Sequence, residues 1–307
     1  MLDLSEMAPA KTTGMVRGGR TSGTLPRRRP RIVSMALVAV ATALFPAALE
    51  AQDVVTFLAS RQMAAEDALR VNVDFAAGHF GLRAGTAGEL YRMQLAYDEA
   101  GGTPIHEYTD GRLRVGIDHA SHVSRRGEGE ARLDLRLTPD IPVDLTMNFG
   151  AIRGDIDLGE IPLRSLELAT GASESQLRVS RPNPIALDRA RIQVGAASLT
   201  ARELGRLNAR VLDVEAGIGE VKLDLEGLSR PDTELRVSVG MGSLEIGVPR
   251  GTGIRIDRST FLTRLSTPPM VQRDGAYYSS DWDTAERRVT IELNAAIGSV
   301  TVMRLPN

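Results

Sequence analysis

From Leu69 onward, long stretches of the chain alternate apolar and polar residues with a period of two. Leu212, Val214 and Ala216 lead into Gly217, and Val221, Leu223 and Leu225 follow it. Leu235, Val237 and Val239 lead into Gly240, and Leu244, Ile246 and Val248 follow. Successive side chains of an extended chain point to opposite faces, so each apolar set lies on one face of a strand. The pattern recurs. Gly150, Gly171, Gly195, Gly217 and Gly240 hold equivalent places 21, 24, 22 and 23 residues apart, and Ala296 takes that place in the last fragment. A glycine with small neighbours lets the chain bend sharply, or take positive φ, between the two strands it separates. Segments such as 180–184 and 227–232, rich in Ser, Pro, Asn and Gly, read as the turns between units. A unit of about 22 residues cannot bury an apolar face alone, so successive units stack. The predicted fold is therefore all-β, a stacked β-repeat solenoid over residues 133–307. A meandering β-sandwich with glycine-containing hairpins is the alternative.

Residues 52–118 read as a separate small β unit. Leu69, Val71, Val73 and Phe75 alternate towards Gly78, and Tyr91, Met93, Leu95 and Tyr97 form a second strand. Leu113, Val115 and Ile117 form a third, after turns at Gly101-Gly102 and Asp110-Gly111. The Ser- and Gly-containing stretch 119–132 is the expected linker or long turn. Beyond Val248 the rhythm loosens: residues 251–265 still alternate, but no glycine marks a bend, and Pro268-Pro269 opens a loop. Val289–Leu293 resumes the ladder, and the strand from Ser299 to Met303 is expected to close the stack.

The first fifty residues follow a different pattern. Arg17, Arg20, Arg27, Arg28, Arg29 and Arg31 precede an apolar run from Ile32 to Leu49. A basic head, an apolar middle and small Ala51 after Leu49-Glu50 are the parts of a secretory signal, with cleavage expected after Ala51. The head is long, and translation starting at Met15 would still leave a complete signal. An uncleaved anchor is the alternative, although the run is at the lower limit for a membrane span and contains Pro46. After residue 51 there remain 30 basic and 36 acidic residues, a formal charge of −6. That balance excludes nucleic acid as an expected partner, because such binding draws its affinity from basic patches on phosphate. The chain has no cysteine, hence no disulfide, lipid-attachment cysteine or thiolate metal site. No cofactor is expected.

Two stretches resemble the toast-rack family of bacterial envelope proteins. Val71–Leu82 looks like the family's N-terminal strand pair, and Gly275–Ile291 running into Ala296–Val300 looks like its closing motif. The resemblance covers roughly residues 65 to 304. It implies a stacked-strand envelope domain, as in predicted adhesins and in the extracytoplasmic or C-terminal parts of LiaF-type regulators of the cell-wall-antibiotic response. The family implies no catalytic residues. LiaF-type regulators carry several membrane helices ahead of this domain, whereas this chain has one signal-like segment.

Candidate chemistry is sparse. His119 and His122 beside Asp118 have metal-ligand spacing, but they fall in a turn-like stretch without a third ligand, and read as solvated. Asp155 and Asp157 suggest calcium, yet no aspartate repeats through the units as a β-roll requires. Neither a Gly-x-Ser-x-Gly elbow nor a phosphate loop is present. Stacking could bring Asp224, Glu245 and Arg202 together as a carbohydrate-cleaving site, but solvated ladder charges are the commoner meaning. Tyr277, Tyr278 and Trp282 form the densest aromatic group, read as a cap over the apolar stack or a contact surface. The expected function is a non-enzymatic envelope scaffold, adhesin-like, contacting an envelope protein or wall polymer through loops near 101–111 and 266–288. The alternatives are an accessory to an envelope-stress sensor and a carbohydrate-active β-helix enzyme.

Overall fold

The computed structural model describes residues 54–99, 102–118 and 131–306. Among them there is no α-helix, and the strands run in chain order as follows. They are β1 (Val54–Gln62), β2 (Leu69–Ala84), β3 (Glu89–Asp98), β4 (Thr103–Thr109), β5 (Arg112–Asp118), β6 (Arg132–Leu137), β7 (Val143–Asp157) and β8 (Leu163–Arg178). After these come β9 (Leu187–Arg202), β10 (Ala209–Asp224), β11 (Asp232–Val248), β12 (Thr252–Ser266), β13 (Met270–Arg273), β14 (Ala276–Ser279) and β15 (Arg287–Arg304). All belong to one sheet, whose order is β1-β3-β6-β2-β7-β8-β9-β10-β11-β15-β12-β14-β13, with β5 on β2 and β4 on β5.

The expected strand–bend–strand units are single long strands, each crossing the bend without a break. Eight of them, from β2 through β12 in sheet order, lie parallel and in register. At the bend the inward parity switches. In β10, Leu212, Val214 and Ala216 are buried before it and Val221 and Leu223 after it, while Gly217 and Ile218 between them are exposed. Each strand thus has a first and a second arm, and both arms turn their apolar faces to one core. Return turns close the rung: Leu158, Ile161, Val179, Leu204, Leu207, Leu225 and Leu228 from them are buried. The turns are also stitched to one another. Buried Asn183 accepts from the Leu163 N–H at 3.1 Å and donates to the carbonyls of Leu163 at 2.8 Å and Leu207 at 3.2 Å.

Three local expectations are corrected. First, Gly150, Gly171, Gly195, Gly217 and Gly240 do stand at the bends, but none has positive φ. Their smallness serves the stack instead. A Cβ on Gly217 would lie 2.6 Å from the Gly195 carbonyl oxygen, and one on Gly240 would lie 2.5 Å from that of Gly217. Positive φ belongs to a second glycine two residues on, as at Gly219 (140°), Gly242 (137°) and Gly298 (139°). Second, β15 does not close the stack. It slots between β11 and β12, leaving the earlier strand β12 as the last rung. Third, residues 54–118 share the repeats' sheet, because β2 is itself a rung paired with β7 from Leu69 to Leu82. The expected linker 119–132 falls outside the described residues except for its last two positions, and Arg132 already begins β6.

Candidate functional site

Two residues before each bend, on the first arm, a side chain points outward. Asp74, Asn148, Ala169, Gln193, Glu215, Ser238, Asn294 and Ser259 are successive register partners across the ladder. Beside them the bend column carries glycine on five rungs, so backbone stands where side chains would otherwise fill the surface. The result is a groove of about 1100 Å³, running across the rungs from Asn148 and Phe149 to Phe261 on β12.

One wall of the groove is polar. Gln193 Nε2 donates to Glu215 Oε2 at 3.0 Å, and Asn148 Nδ2 donates to Asp74 Oδ1 at 3.2 Å. Thr170 is a register partner of the core residues Phe149 and Val194, and its buried hydroxyl has no hydrogen-bond partner among the described residues. Beyond the bend an apolar column follows the groove: Ala151, Ala172, Ala196, Ile218, Met241, Ile297 and Leu262. Its large members are exposed, Ile218 at 59%, Leu262 at 65% and neighbouring Phe261 at 79%. An exposed apolar run rimmed by polar groups marks a contact surface. Amides and a carboxylate repeating at the strand spacing, beside that run, suit an extended ligand lying across the strands.

Sequence reasoning found the glycines of this groove and missed its polar wall. The signal was present: each wall residue stands two places before the repeating glycine. The aromatic group lies elsewhere, over the first arm of β12. Tyr278 and Trp282 meet edge to face with ring centroids 5.5 Å apart, and Tyr277 packs against the core. Arg273 sits 4.6 Å from the centre of the Tyr278 ring and Arg258 5.0 Å from that of Tyr277. Asp281, between them, accepts from Arg304 at 2.9 and 3.0 Å.

The remaining candidates scatter. Asp155 is exposed, while Asp157 accepts the N–H groups of Gly159 and Ser180. Burial works to raise the Asp157 pKa, but those N–H groups, the Ser180 hydroxyl and the Arg178 charge together hold the carboxyl below its usual value. Asp224 goes the other way, raised by burial and by nearby Glu226 and Glu203. Arg202, one position beyond the Ala201 that pairs with Leu223, acts on the Asp224 carboxyl and works to lower its pKa, while Glu245 pairs in register with Lys222. Asp224 and Arg202 are thus near each other, and Glu245 stands on a different register row. His119 and His122 lie outside the described residues, and among those described no three His, Asp or Glu side chains gather as a metal site.

A polar cluster that sequence reasoning did not mark sits near β1. Glu66 accepts from the Tyr108 hydroxyl and from the Ala64 N–H, each at 2.7 Å, and from Arg61 at 3.4 Å. Those bonds, Tyr108 first, bring the Glu66 pKa down to about 2. Tyr91 and His106 share a hydrogen bond of 2.9 Å, and burial lowers the His106 pKa.

Residues 50–202 match the N-terminal domain of toast_rack, DUF2154, and residues 204–302 match the C-terminal region of LiaF, cell wall-active antibiotics response. The chain belongs to the toast-rack family. The junction between the two matches, at Glu203, falls in a return turn of the one continuous ladder. That membership fits an envelope protein, and neither description names a catalytic activity. No curated protein matches the chain. Among solved structures, one named for cell adhesion from Clostridium sporogenes is 14% identical, with a TM-score of 0.43, over 82% of this chain and all of its own. One named as an adhesin from Bacteroides fragilis is 10% identical, with a TM-score of 0.33, over 81% of this chain and 97% of its own. At these scores the fold rests on the strand ladder itself.

Proposed function

We propose that this toast-rack protein is an exported, non-enzymatic scaffold of the cell envelope that binds an extended wall or surface polymer along its bend groove. The groove carries the reading: a continuous trough across the rungs, lined by hydrogen-bonding side chains, with an exposed apolar run beyond the bend. The arginine-headed apolar segment before Ala51 supports export. A non-catalytic role is supported by the two family descriptions, which name no catalytic activity, and by Glu245 standing on a different register row from Asp224.

Binding to purified wall polymers and a glycan panel tests this. Ala169→Trp should fill the groove and weaken binding at least tenfold while leaving the circular dichroism unchanged. Binding that survives Ala169→Trp would move the site elsewhere. A second reading, an accessory of an envelope-stress sensor, is favoured by the match of residues 204–302 to the LiaF C-terminal region. Crosslinking in the native envelope that recovers one membrane sensor, with no polymer bound, would replace the scaffold by that accessory.

A further inference from the structure

The two walls of the ladder end differently. The first-arm wall finishes in a hairpin at both ends: β5 and β4 on β2, and β14 and β13 on β12. The second-arm wall finishes bare. At one end β12 pairs with β14 only through Arg255 and Ile256, so among the described residues its stretch 257–266 has β15 on one side and no strand on the other. At the opposite end β1 has β3 as its one strand partner among the described residues. Soluble proteins usually defend such edges with charge, proline or a covering segment. Here Val54–Ser60 contains no charged residue and no proline, and Leu262–Ser266 has Arg264 as its one charge.

The two bare edges match each other. β6 is parallel to β2, β3 is antiparallel to β6, and β1 is antiparallel to β3, so β1 runs in the direction of the rungs. The ladder register can be followed from one edge to the other. Phe57, Leu95, Leu133, Phe80, Gly154, Ser175, Leu199, Val221, Leu244, Val300 and Leu265 are successive partners in one inward column. Its terminal members, Phe57 and Leu265, are only partly buried, each packing on the core from one side. Three residues earlier in both edge strands stand Val54, 53% exposed, and Leu262, 65% exposed.

We infer that copies of this chain stack head to tail, residues 54–58 of β1 of one molecule adding as the next parallel strand on residues 262–266 of another. In that register Phe57 covers Leu265, completing the core column, and Val54 meets Leu262 on the outer face. The contact joins unlike surfaces and leaves a free edge at each end, so it repeats into an open series rather than closing as a dimer. This goes beyond polymer binding, since it concerns the ends of the ladder and not its groove.

The test uses protein expressed from its full coding sequence and purified as it accumulates, studied by sedimentation across a concentration series. Unmodified protein should give masses that grow past the dimer. A variant with Val54→Asp and Leu58→Asp loses one end, and a variant with Leu262→Asp and Ser266→Asp loses the other; each should run as a monomer. Mixed in equal amounts they should form a heterodimer and nothing larger, since each supplies the end the other lacks. All four positions are solvent-facing or on a bare edge, so folding should persist, checked by circular dichroism. Because the chain has no cysteine, Val54→Cys and Leu262→Cys made on separate molecules give a second readout. On oxidation the mixed disulfide should exceed either homodimer severalfold. Unmodified protein that stays monomeric at several hundred micromolar would overturn the inference. So would a dimer that survives the first variant and is lost in the second, since that is β12 pairing with itself.

Discussion

At the residue scale, glycines do two separable jobs here, and substitutions can tell them apart. Gly251 has a φ of 73° with open space around its missing Cβ, so Gly251→Ala should cost only the left-handed penalty of about 1–2 kcal/mol. Gly240 has ordinary φ but a neighbour's carbonyl in the way, so Gly240→Ala forces adjacent rungs apart. Gly242 has both constraints, with φ of 137° and the Gly219 carbonyl oxygen against its Cβ position. Thermal melts should therefore rank Gly242→Ala as most destabilising and Gly251→Ala as least. Glu66 gives a pH signature. Its folded pKa of about 2 lies below the usual 4.5, so its contribution is present above pH 4.5 and is lost as the pH falls towards 2. Glu66→Gln should flatten the acid branch of a stability–pH curve over that window. Asp224 has the opposite sign: burial raises its folded pKa, so ionising it opposes folding once the pH exceeds that value. Asp224→Asn, which can still accept from the Glu226 N–H, should stabilise the protein at neutral pH and lose the advantage in acid.

At the scale of the elements, a rung is a bent strand plus a return turn, and the turns carry their own adhesion. Asn183→Ala would leave the Leu163 and Leu207 carbonyls without the amide that bridges them, a loss of roughly 1–3 kcal/mol visible in urea melts. The repeat pitch and the inward faces were readable from sequence, because period-two alternation and recurring glycines are local patterns. The job of those glycines was not, since a clash with the preceding rung exists only once rungs are stacked. Nor was the groove's polar wall, because an outward Gln193 or Glu215 looks like any solvated strand position until its register partners are known. The place of β15 was half-visible. Ala295-Ala296-Ile297-Gly298-Ser299 echoes Val239-Gly240-Met241-Gly242-Ser243, its neighbour on β11, but chain order suggested the end of the stack.

For the whole molecule, stacking makes stability a sum over neighbouring rungs. Leu187 and Ala209 are register partners, so removing residues 187–208 excises one repeat and lets β8 meet β10 with every column aligned. That deletion should still fold to a β-rich domain, melting at a lower temperature; a chain that cannot fold would argue for a single indivisible core. The placement of β15 also decides how the molecule would meet tension. Pulling on the chain beyond Arg304 loads a strand gripped along its length by β11 on one side and β12 on the other, so two ladders must shear together. Pulling at Val54 loads β1, held by β3 alone, which can peel away pair by pair. Stretched between these points in an optical trap, the protein should give way first at β1, with small early releases of length before the force peak of the rungs.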